Sequence, residues 1–385
     1  MTRSGLLLIR LGAGLVGLAL IVSLWASPDR SRSLPPLLFA MAGIVLVLGL
    51  TSHRLPPLIH RVKPVHVMSF FLGAAFLALA TTLFTTRWPT YKLSWLNSIY
   101  AALPSIRSLP FSWAADGLQP NQNGGILAVC TAFAAAVALA PPPLSCRRRY
   151  RWPAIFLVII GFVVVFMTGS RASLAGLTIA TLLVLLIRTL RYVWIWVAGV
   201  GALIVGLFAS GQLRNGVDFF LRDESLSTKL VARLDIWSSA LRGIQDHLLT
   251  GIGLRVFNQV MPTRYPYQTV GLSYPVSQAH NLFLDVALAI GLPGILGLLM
   301  LLFGSIILAI DGMKRDVVTQ ATSIGIFASI VAFLIFGITD SISLSTPTSF
   351  IIWVWACALA LLQRQPRAPE TAAEHAVSVQ RTKST

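Results

Sequence analysis

Long apolar runs constrain this chain more than any other feature, because each is close to the roughly 20 residues that a helix needs to cross a bilayer. Ten runs can be marked out, at about residues 5–26, 34–52, 66–86, 122–140, 153–170, 173–190, 192–211, 289–310, 318–339 and 346–363. Charged residues make up only 11% of the chain, whereas soluble globular domains have about 25%. These features exclude a water-soluble domain and a disordered chain. They predict an all-α polytopic membrane protein with about ten transmembrane helices.

The distribution of Lys and Arg predicts how the spans are oriented. With both termini in the cytoplasm, sixteen basic residues fall on the cytoplasmic side, and the short outer connections hold only Arg30, Arg32 and Arg171. Basic residues concentrate in the cytoplasmic loops of membrane proteins. This rule accounts for the net charge of +17 by association with a lipid bilayer, and we therefore expect no nucleic-acid partner.

Residues 1–363 are predicted to form a single transmembrane domain, and the polar segment 364–385 a disordered cytoplasmic tail. Two outer segments, 87–121 and 212–279, are longer than simple connections. In the second, apolar residues recur at spacings of three and four, at Leu230, Leu234, Trp237, Leu241 and Ile244. This pattern predicts an amphipathic helix over 228–247 that lies on the membrane surface or caps a cavity.

Of the six histidines, only His247 and His280 fall on the predicted outer side. His280 stands where the long segment re-enters the membrane, and it is followed by Asn281, nine further residues and then Gly291-Leu-Pro-Gly294. Nine residues suffice for two to three helical turns, and Gly and Pro interrupt helices. We therefore expect His280 near the start of a short outer helix that ends at the Gly-Leu-Pro-Gly sequence. The alternative is an interfacial histidine with a structural role.

Two arginines on the same side are unusual. Arg171 occupies a tight turn, Thr168-Gly169-Ser170-Arg171, where basic residues are otherwise depleted, and Arg233 begins the predicted amphipathic helix. Arg214 or Arg264 is a candidate for a third. Guanidinium groups bind phosphate bidentately, so two of them suit a diphosphate. A surface arginine that snorkels or forms a salt bridge is the simpler alternative for each.

The acidic residues predicted on the outer side are scattered and form no metal-binding pattern. They are Asp29, Asp116, Asp218, Asp223, Glu224, Asp235 and Asp246. A neutral histidine can accept a proton from a hydroxyl near pH 7. The residue types therefore favour displacement of a phosphate-type leaving group by a hydroxyl, with His280 as base, Arg171 and Arg233 on the diphosphate, and neither a metal nor another cofactor.

These motifs resemble those of the O-antigen ligase and polymerase superfamily, whose members transfer lipid-linked glycans. His280-Asn281, nine residues and Gly291-x-x-Gly294 resemble the ligase signature, and Thr168-Gly169-Ser170-Arg171 resembles the Ser-Arg turn of the family. Arg233-Leu-Asp-Ile-Trp237, followed by Asp246-His247-Leu-Leu-Thr-Gly251-Ile-Gly253 and Phe257, resembles a further family segment. Pro120-Asn121 at the start of a span is a weaker match. The resemblance is clearest over about residues 120–300.

The resemblance implies a C-type glycosyltransferase (GT-C) architecture in the bacterial inner membrane. It implies a metal-independent, inverting transfer from undecaprenyl diphosphate at the periplasmic face. His280 would be the base on the acceptor hydroxyl, with Arg171 and Arg233 on the diphosphate, and Asn281 would orient the histidine or touch sugar. Asn121 and Arg264 are weaker substrate-binding candidates.

The chain departs from the family pattern in two respects. Leu248 stands where the family has Pro. The chain also has about ten predicted spans instead of twelve and a comparatively short outer loop, and these differences leave the identity of the acceptor open. The favoured function is an O-antigen ligase that moves polysaccharide onto a sugar of the lipid A core. The main alternative is a polymerase that joins undecaprenyl-diphosphate-linked repeat units. Glycan transfer to a protein and secondary transport are weaker alternatives.

Overall fold

The structure is a computed structural model in which residues 2–52, 62–90, 93–103, 119–141, 147–189, 224–269, 276–342 and 347–364 are described, with a few isolated positions besides. The α-helices in these ranges are α1 (Thr2–Ala26), α2 (Arg30–Thr51), α3 (Pro64–Thr85), α4 (Asn97–Ala102), α5 (Pro120–Ala138), α6 (Arg147–Met167), α7 (Arg171–Arg188), α8 (Glu224–Asp246), α9 (Phe257–Arg264), α10 (Leu282–Gly312), α11 (Val317–Thr339) and α12 (Phe350–Gln363). The prediction of an all-α fold is confirmed for this part of the chain.

Within the described ranges, seven helices are long and apolar enough to cross a membrane: α1, α2, α3, α6, α7, α10 and α11. The protein is therefore a multi-pass membrane protein. Two further predicted runs are also helical, but α5 begins with a polar turn and α12 has only 14 residues. The run at 192–211 and the tail beyond residue 364 lie outside the described residues, apart from isolated positions. The number of ten spans and the GT-C architecture therefore remain predictions.

The long helices run alternately up and down, so their connections collect at two ends of the bundle. One end, here named the His280 end, holds the turns at 27–29 and 168–170 and the segments 251–256 and 340–342. The opposite end is named the basic end, because its side chains include Lys63, Arg188, Lys314, Arg315 and Arg364. Several of these cations bind carbonyl oxygens at helix ends, as Arg10 and Arg364 do at the end of α2 and Arg315 at the end of α12. This capping matches the electrostatics of helix carboxyl termini.

Helix α5 is buried among four other helices of the bundle. From Asn123 onward all of its residues except Ile126 are buried. Its neighbours are α3, α6, α7 and α11. Close approach depends on small residues, since a β-carbon on Gly125 would lie 2.7 Å from the ring of Phe336 on α11. The small residues of α5 thus set how tightly the helices pack beneath the His280 end.

Candidate active site

The turn that carries Arg171 is built by local hydrogen bonds. Thr168 is fully buried and its hydroxyl donates to the Val165 carbonyl at 2.6 Å, and Gly169 takes the left-handed conformation with φ +62°. Ser170 then caps α7, because its hydroxyl oxygen accepts from the Ser173 backbone N–H. Capping by serine is favourable at a helix start. The result is that Arg171 is the first residue of α7 and its side chain is exposed.

The position of Arg171 is electrostatically unfavourable unless an anion is bound. A helix amino terminus carries a partial positive charge, so a cation in the first turn is disfavoured. Within the described part of the chain, the Arg171 guanidinium has neither an ion-pair partner nor a hydrogen-bond partner. A phosphate group would be attracted both by the guanidinium and by the free N–H groups of the first turn.

Three helix amino termini, those of α5, α7 and α10, lie at the His280 end. The α5 and α7 starts are joined, because the Ser173 hydroxyl donates to the Asn121 carbonyl at 3.4 Å. Gly337 near the end of α11 faces the start of α10. A β-carbon placed on Gly337 would lie 3.0 Å from the Leu282 side chain. Asn121 itself is half-exposed. The backbone of Asn121 therefore lies beside the Arg171 turn, at the start of α5.

Helix α11 brings the Arg171 turn and the α10 start to one level of the bundle. Gly176 of α7 packs against the Ala332 carbonyl of α11. The two helices are antiparallel, and each residue rises 1.5 Å. The residue five positions before Gly176 on α7 is therefore level with the residue five positions after Ala332 on α11. Arg171 is thus level with Gly337, which contacts the first residue of α10. His280 precedes that residue by two.

His280 has a strained backbone. Its φ is +51°, in the left-handed region that non-glycine residues rarely adopt. Such outliers persist only when the surroundings hold them, and they cluster at functional sites. The side chain is 28% exposed, so the imidazole remains accessible to a substrate. A strained backbone and an accessible imidazole both fit the role of base, which stays a prediction.

The imidazole of His280 faces a buried carboxylate that follows α11. His280 Nδ1 lies 3.3 Å from Asp340 Oδ1, and the Asp340 side chain is only 3% exposed. The same oxygen accepts from Gln278 Nε2 and from the Ser341 backbone N–H, both at 2.9 Å. Asp340 Oδ1 is thus close to three polar groups, and a hydrogen bond from a protonated Nδ1 to this oxygen would leave the lone pair of the imidazole on Nε2.

Two side chains fix the backbone just before His280. Asp285, buried in the first turn of α10, accepts from the Ala279 N–H at 2.8 Å. The Trp237 indole of α8 donates to the Ala279 carbonyl at 2.9 Å. Both polar groups of Ala279 are therefore held by side chains from different helices. This explains how the left-handed conformation at the next residue is maintained.

Asn281 caps α10. Its side-chain oxygen accepts from the backbone N–H groups of Phe283 and Leu284, and its amide donates to the Ile338 carbonyl at 2.9 Å. These three bonds join the start of α10 to the end of α11. The expectation that Asn281 orients the histidine is compatible with this role, while contact with sugar stays a prediction.

Helix α10 is interrupted where the Gly-Leu-Pro-Gly sequence predicts. Ile290 and Gly291 have non-helical angles, with φ +71° and ψ +178° at Gly291. In an unbroken helix the Leu288 and Ala289 carbonyls would bond residues 292 and 293, but Pro293 has no N–H. The predicted short helix followed by a break is therefore confirmed at 282–289.

The segment after α8 supplies the hydrogen bonds that the break removes. Ile252 N–H donates to the Leu288 carbonyl at 2.8 Å and Gly253 N–H to the Ala289 carbonyl at 3.1 Å, while Leu292 N–H donates to the Leu248 carbonyl at 2.7 Å. Gly251, at φ +64°, passes so close to Ala289 that a β-carbon would overlap its carbonyl group. Buried backbone polar groups need such partners. The 248–253 segment therefore completes the backbone hydrogen bonds of the interrupted helix.

Helix α8 carries Arg233 to the same end of the molecule. The predicted helix over 228–247 is observed at Glu224–Asp246. Arg233 lies about one turn before Trp237, whose indole binds the carbonyl of Ala279, the residue before His280. The Arg233 side chain is half-buried and has no ion-pair partner in the described ranges. Arg264, by contrast, is exposed at the end of α9 beside Tyr265. Tyr265 packs near Gly243, two turns along α8 from Trp237, so contact of Arg264 with substrate stays a prediction.

Sequence reasoning missed two acids, Asp340 and Asp285. Both stand at the edges of apolar runs and were not included among the acidic residues of the outer side. The sequence did contain a signal for Asp285. This residue lies five positions after His280, in the first turn of the helix that begins at Leu282. Asp340 is sixty residues from His280, and only the packing of α10 on α11 brings them together. Across the described ranges, no group of three His, Cys, Asp or Glu residues is arranged to hold a metal ion.

One part of the chain matches the model of a known protein family. Residues 155–299 match the family model described as O-antigen ligase, and they include Arg171, Arg233, His280 and the break in α10. No curated protein matches the sequence. The match supports membership of the O-antigen ligase family, which comprises ligase- and polymerase-type glycosyltransferases, and it confirms the resemblance drawn from the sequence motifs.

Proposed function

We propose that the protein is an O-antigen ligase that transfers a glycan from undecaprenyl diphosphate to a sugar hydroxyl of the lipid A core. The observation that carries this proposal is the His280–Asp340 pair at the end of the bundle where three helix amino termini and Arg171 also lie. The pair supplies a base, and the helix termini with Arg171 supply positive potential for a diphosphate. Activation of a hydroxyl and stabilisation of a phosphate leaving group are the two requirements of such a transfer.

His280 acts as the base through Nε2, because Nδ1 is held by Asp340. The acceptor hydroxyl gives its proton to Nε2 while its oxygen attacks the anomeric carbon of the donor. The bond between that carbon and the diphosphate oxygen breaks, and the electron pair leaves with undecaprenyl diphosphate. Attack opposite to the leaving group inverts the anomeric centre. Asp340 stabilises the imidazolium that forms, as the buried acid does in hydrolase triads.

Arg171 and Arg233 bind the diphosphate in this proposal. Arg171 adds its guanidinium to the free N–H groups of α7, and Arg233 approaches from α8, which is anchored beside His280 through Trp237. Charge that develops on the leaving oxygen is stabilised by donors already in position. We expect Asn121, whose backbone lies next to the Arg171 turn, to contact the same ligand, and the mechanism uses no metal.

We further propose that the His280 end is periplasmic in the bacterial inner membrane and the basic end cytoplasmic, with both termini there. The concentration of Lys and Arg at the basic end supports this orientation. The donor glycan would then be available at the periplasmic face, where the lipid A core is also presented.

The test is transfer in proteoliposomes that contain undecaprenyl-diphosphate glycan and lipid A core. The native protein is compared with His280→Ala, with the double variant Arg171→Ala/Arg233→Ala and with the control Arg30→Ala. Arg30 is also exposed at the His280 end but binds the Trp25 carbonyl. We expect glycan on lipid A core with the native protein and the control, and at least a hundredfold slower transfer with the other variants, as found when groups of this kind are removed.

Each outcome has a definite meaning. Full activity of His280→Ala would contradict the mechanism. Glycan lengthened on undecaprenyl diphosphate, without transfer to lipid A core, would identify a polymerase instead. No transfer to either acceptor by the native protein would refute both.

A further inference from the structure

Helix α8 has two apolar faces, and only one of them packs against the described part of the protein. Ile236, Ala240 and the Gly243 backbone face the cluster that includes Leu288 and Tyr265. Leu230, Leu234 and Leu241 lie on the other face and are 51%, 52% and 50% exposed. Their spacings of four and seven residues place them in one stripe along the helix. A helix surrounded by water would carry polar residues there.

A second exposed apolar stripe follows the break in α10. Leu292, Leu296, Leu299 and Phe303 are 40%, 48%, 41% and 58% exposed and recur at spacings of four, three and four. Helix α10 is one of the helices able to cross a membrane. Its exposed apolar stripe therefore faces lipid.

The two stripes approach each other at the 248–253 segment, which hydrogen-bonds to the interrupted part of α10. Leu248 and Leu249 are 45% and 66% exposed, and the Leu248 carbonyl accepts from the Leu292 N–H. The lipid-facing side of α10 is thus joined to the end of α8 by these two leucines, and the exposed polar residues Gln245 and Asp246 separate them from Leu241.

Trp25 indicates the level of the membrane boundary. It is 72% exposed near the end of α1, and tryptophan is enriched at the boundary between bilayer and water. Ser23, two residues earlier, donates to the Ala289 carbonyl at 2.8 Å. The break in α10 and the adjoining Leu248 therefore lie at the depth of this boundary, within reach of the lipid surface.

We infer that α8 rests on the bilayer, with Leu230, Leu234, Leu241, Leu248 and Leu249 in contact with lipid. The exposed Leu248 and Leu249 beside the lipid-facing side of α10, together with the position of Trp25, favour lipid over a second protein. If the proposed function is correct, the consequence is that Arg233 lies at the depth of the lipid phosphate groups, where it can receive the diphosphate of a lipid-linked donor. The lipid contact itself does not depend on that function.

The test measures the depth of single side chains on α8. A nitroxide is attached through a ketone-bearing amino acid at position 234, 241 or 242 of the full-length protein in phosphatidylethanolamine–phosphatidylglycerol vesicles. Position 242 is the control, because Arg242 is exposed on the same helix about 100° away from Leu241. Oxygen, which concentrates in lipid, and a water-soluble nickel complex are used as relaxing agents.

We expect labels at 234 and 241 to respond several-fold more to oxygen than to nickel, and the label at 242 to respond in the opposite sense. Equal responses to nickel at all three positions would overturn the inference, because α8 would then be surrounded by water. A weak response to both agents at 234 and 241 would also overturn it, since a protein would then cover the stripe.

A functional comparison separates this inference from the proposed ligase activity. In the double variant Leu234→Asn/Leu241→Asn, transfer from undecaprenyl diphosphate in vesicles should fall by about tenfold or more, because lipid contact scales with buried apolar area. Ser238→Asn, exposed on the same helix outside the stripe, should remain close to native. An inactive native protein would refute the ligase proposal, while the depth measurement would still decide the lipid contact.

Discussion

The left-handed backbone at His280 predicts that glycine at this position stabilises the fold relative to alanine. The left-handed conformation costs a non-glycine residue about 1–2 kcal/mol. Glycine avoids this cost but loses about 0.5–1 kcal/mol through the greater freedom of its unfolded chain. Both variants lose the same contact with Asp340. His280→Gly should therefore exceed His280→Ala in free energy of unfolding by about 0.8 kcal/mol, the difference between the centres of the two ranges, or roughly fourfold in the unfolding constant.

The assay is reversible unfolding by sodium dodecyl sulfate in lipid–detergent micelles, followed by circular dichroism. Arg255, at φ +59°, is a control of the same kind, because glycine should again be more stable than alanine there. Ser238, exposed within α8, is a control of opposite sign, since glycine in a helix is about 1 kcal/mol less favourable than alanine. An alanine variant at His280 as stable as the glycine variant would refute the argument from strain. Under the proposed function both His280 variants are inactive, including the more stable one.

Four further predictions concern the surroundings of His280. Asp340→Asn should slow glycan transfer roughly 10- to 100-fold without unfolding the protein, because the amide no longer fixes the imidazole or stabilises its cation; transfer and circular dichroism are measured together. Asp285→Asn should unfold at nearly the native detergent concentration, because it keeps an acceptor for the Ala279 N–H, whereas Asp285→Ala should lose about 1–3 kcal/mol by leaving that group unpaired. Gly251→Ala should lose about 2 kcal/mol or more in the same assay, because its β-carbon would overlap backbone of α10 at a positive φ, while Gly14→Ala, with open space around it, should not destabilise. Removal of divalent metal with a chelator should leave the transfer rate unchanged; a loss that added metal restores would contradict the metal-independent mechanism.

Much of the helical content was predictable because membrane spans have a strong and local signal. The apolar runs of α1, α2, α3, α6, α7 and α11 could be located from hydropathy, since each helix must satisfy its own backbone hydrogen bonds in lipid. The break after residue 289 was predictable for a similar reason, because Pro293 removes an N–H and Gly291 permits a positive φ. Such features are properties of a few neighbouring residues.

The burial of α8 was less predictable. Periodicity correctly indicated a helix, but Leu230, Leu234 and Leu241 are exposed, and the face that packs against the protein contains Ile236 and Ala240. An amphipathic pattern shows that apolar residues share a face, but in a membrane protein that face can meet lipid as readily as protein. The sequence alone does not distinguish these two environments.

The sequence by itself determined the class of protein, the positions of most helices, the short helix after His280 and the family resemblance. All of these depend on residues close together in the chain or on motifs of fixed spacing. The tertiary structure alone decided that Asp340 faces His280, that Trp237 and Asp285 hold the residue before it, and that the 248–253 segment completes the hydrogen bonds of α10. These contacts join residues that are six to sixty positions apart, and their formation depends on how helices pack, which local patterns do not encode. The side chain at 280 could thus be identified as a candidate base from the sequence, whereas its partner and its strained backbone could not.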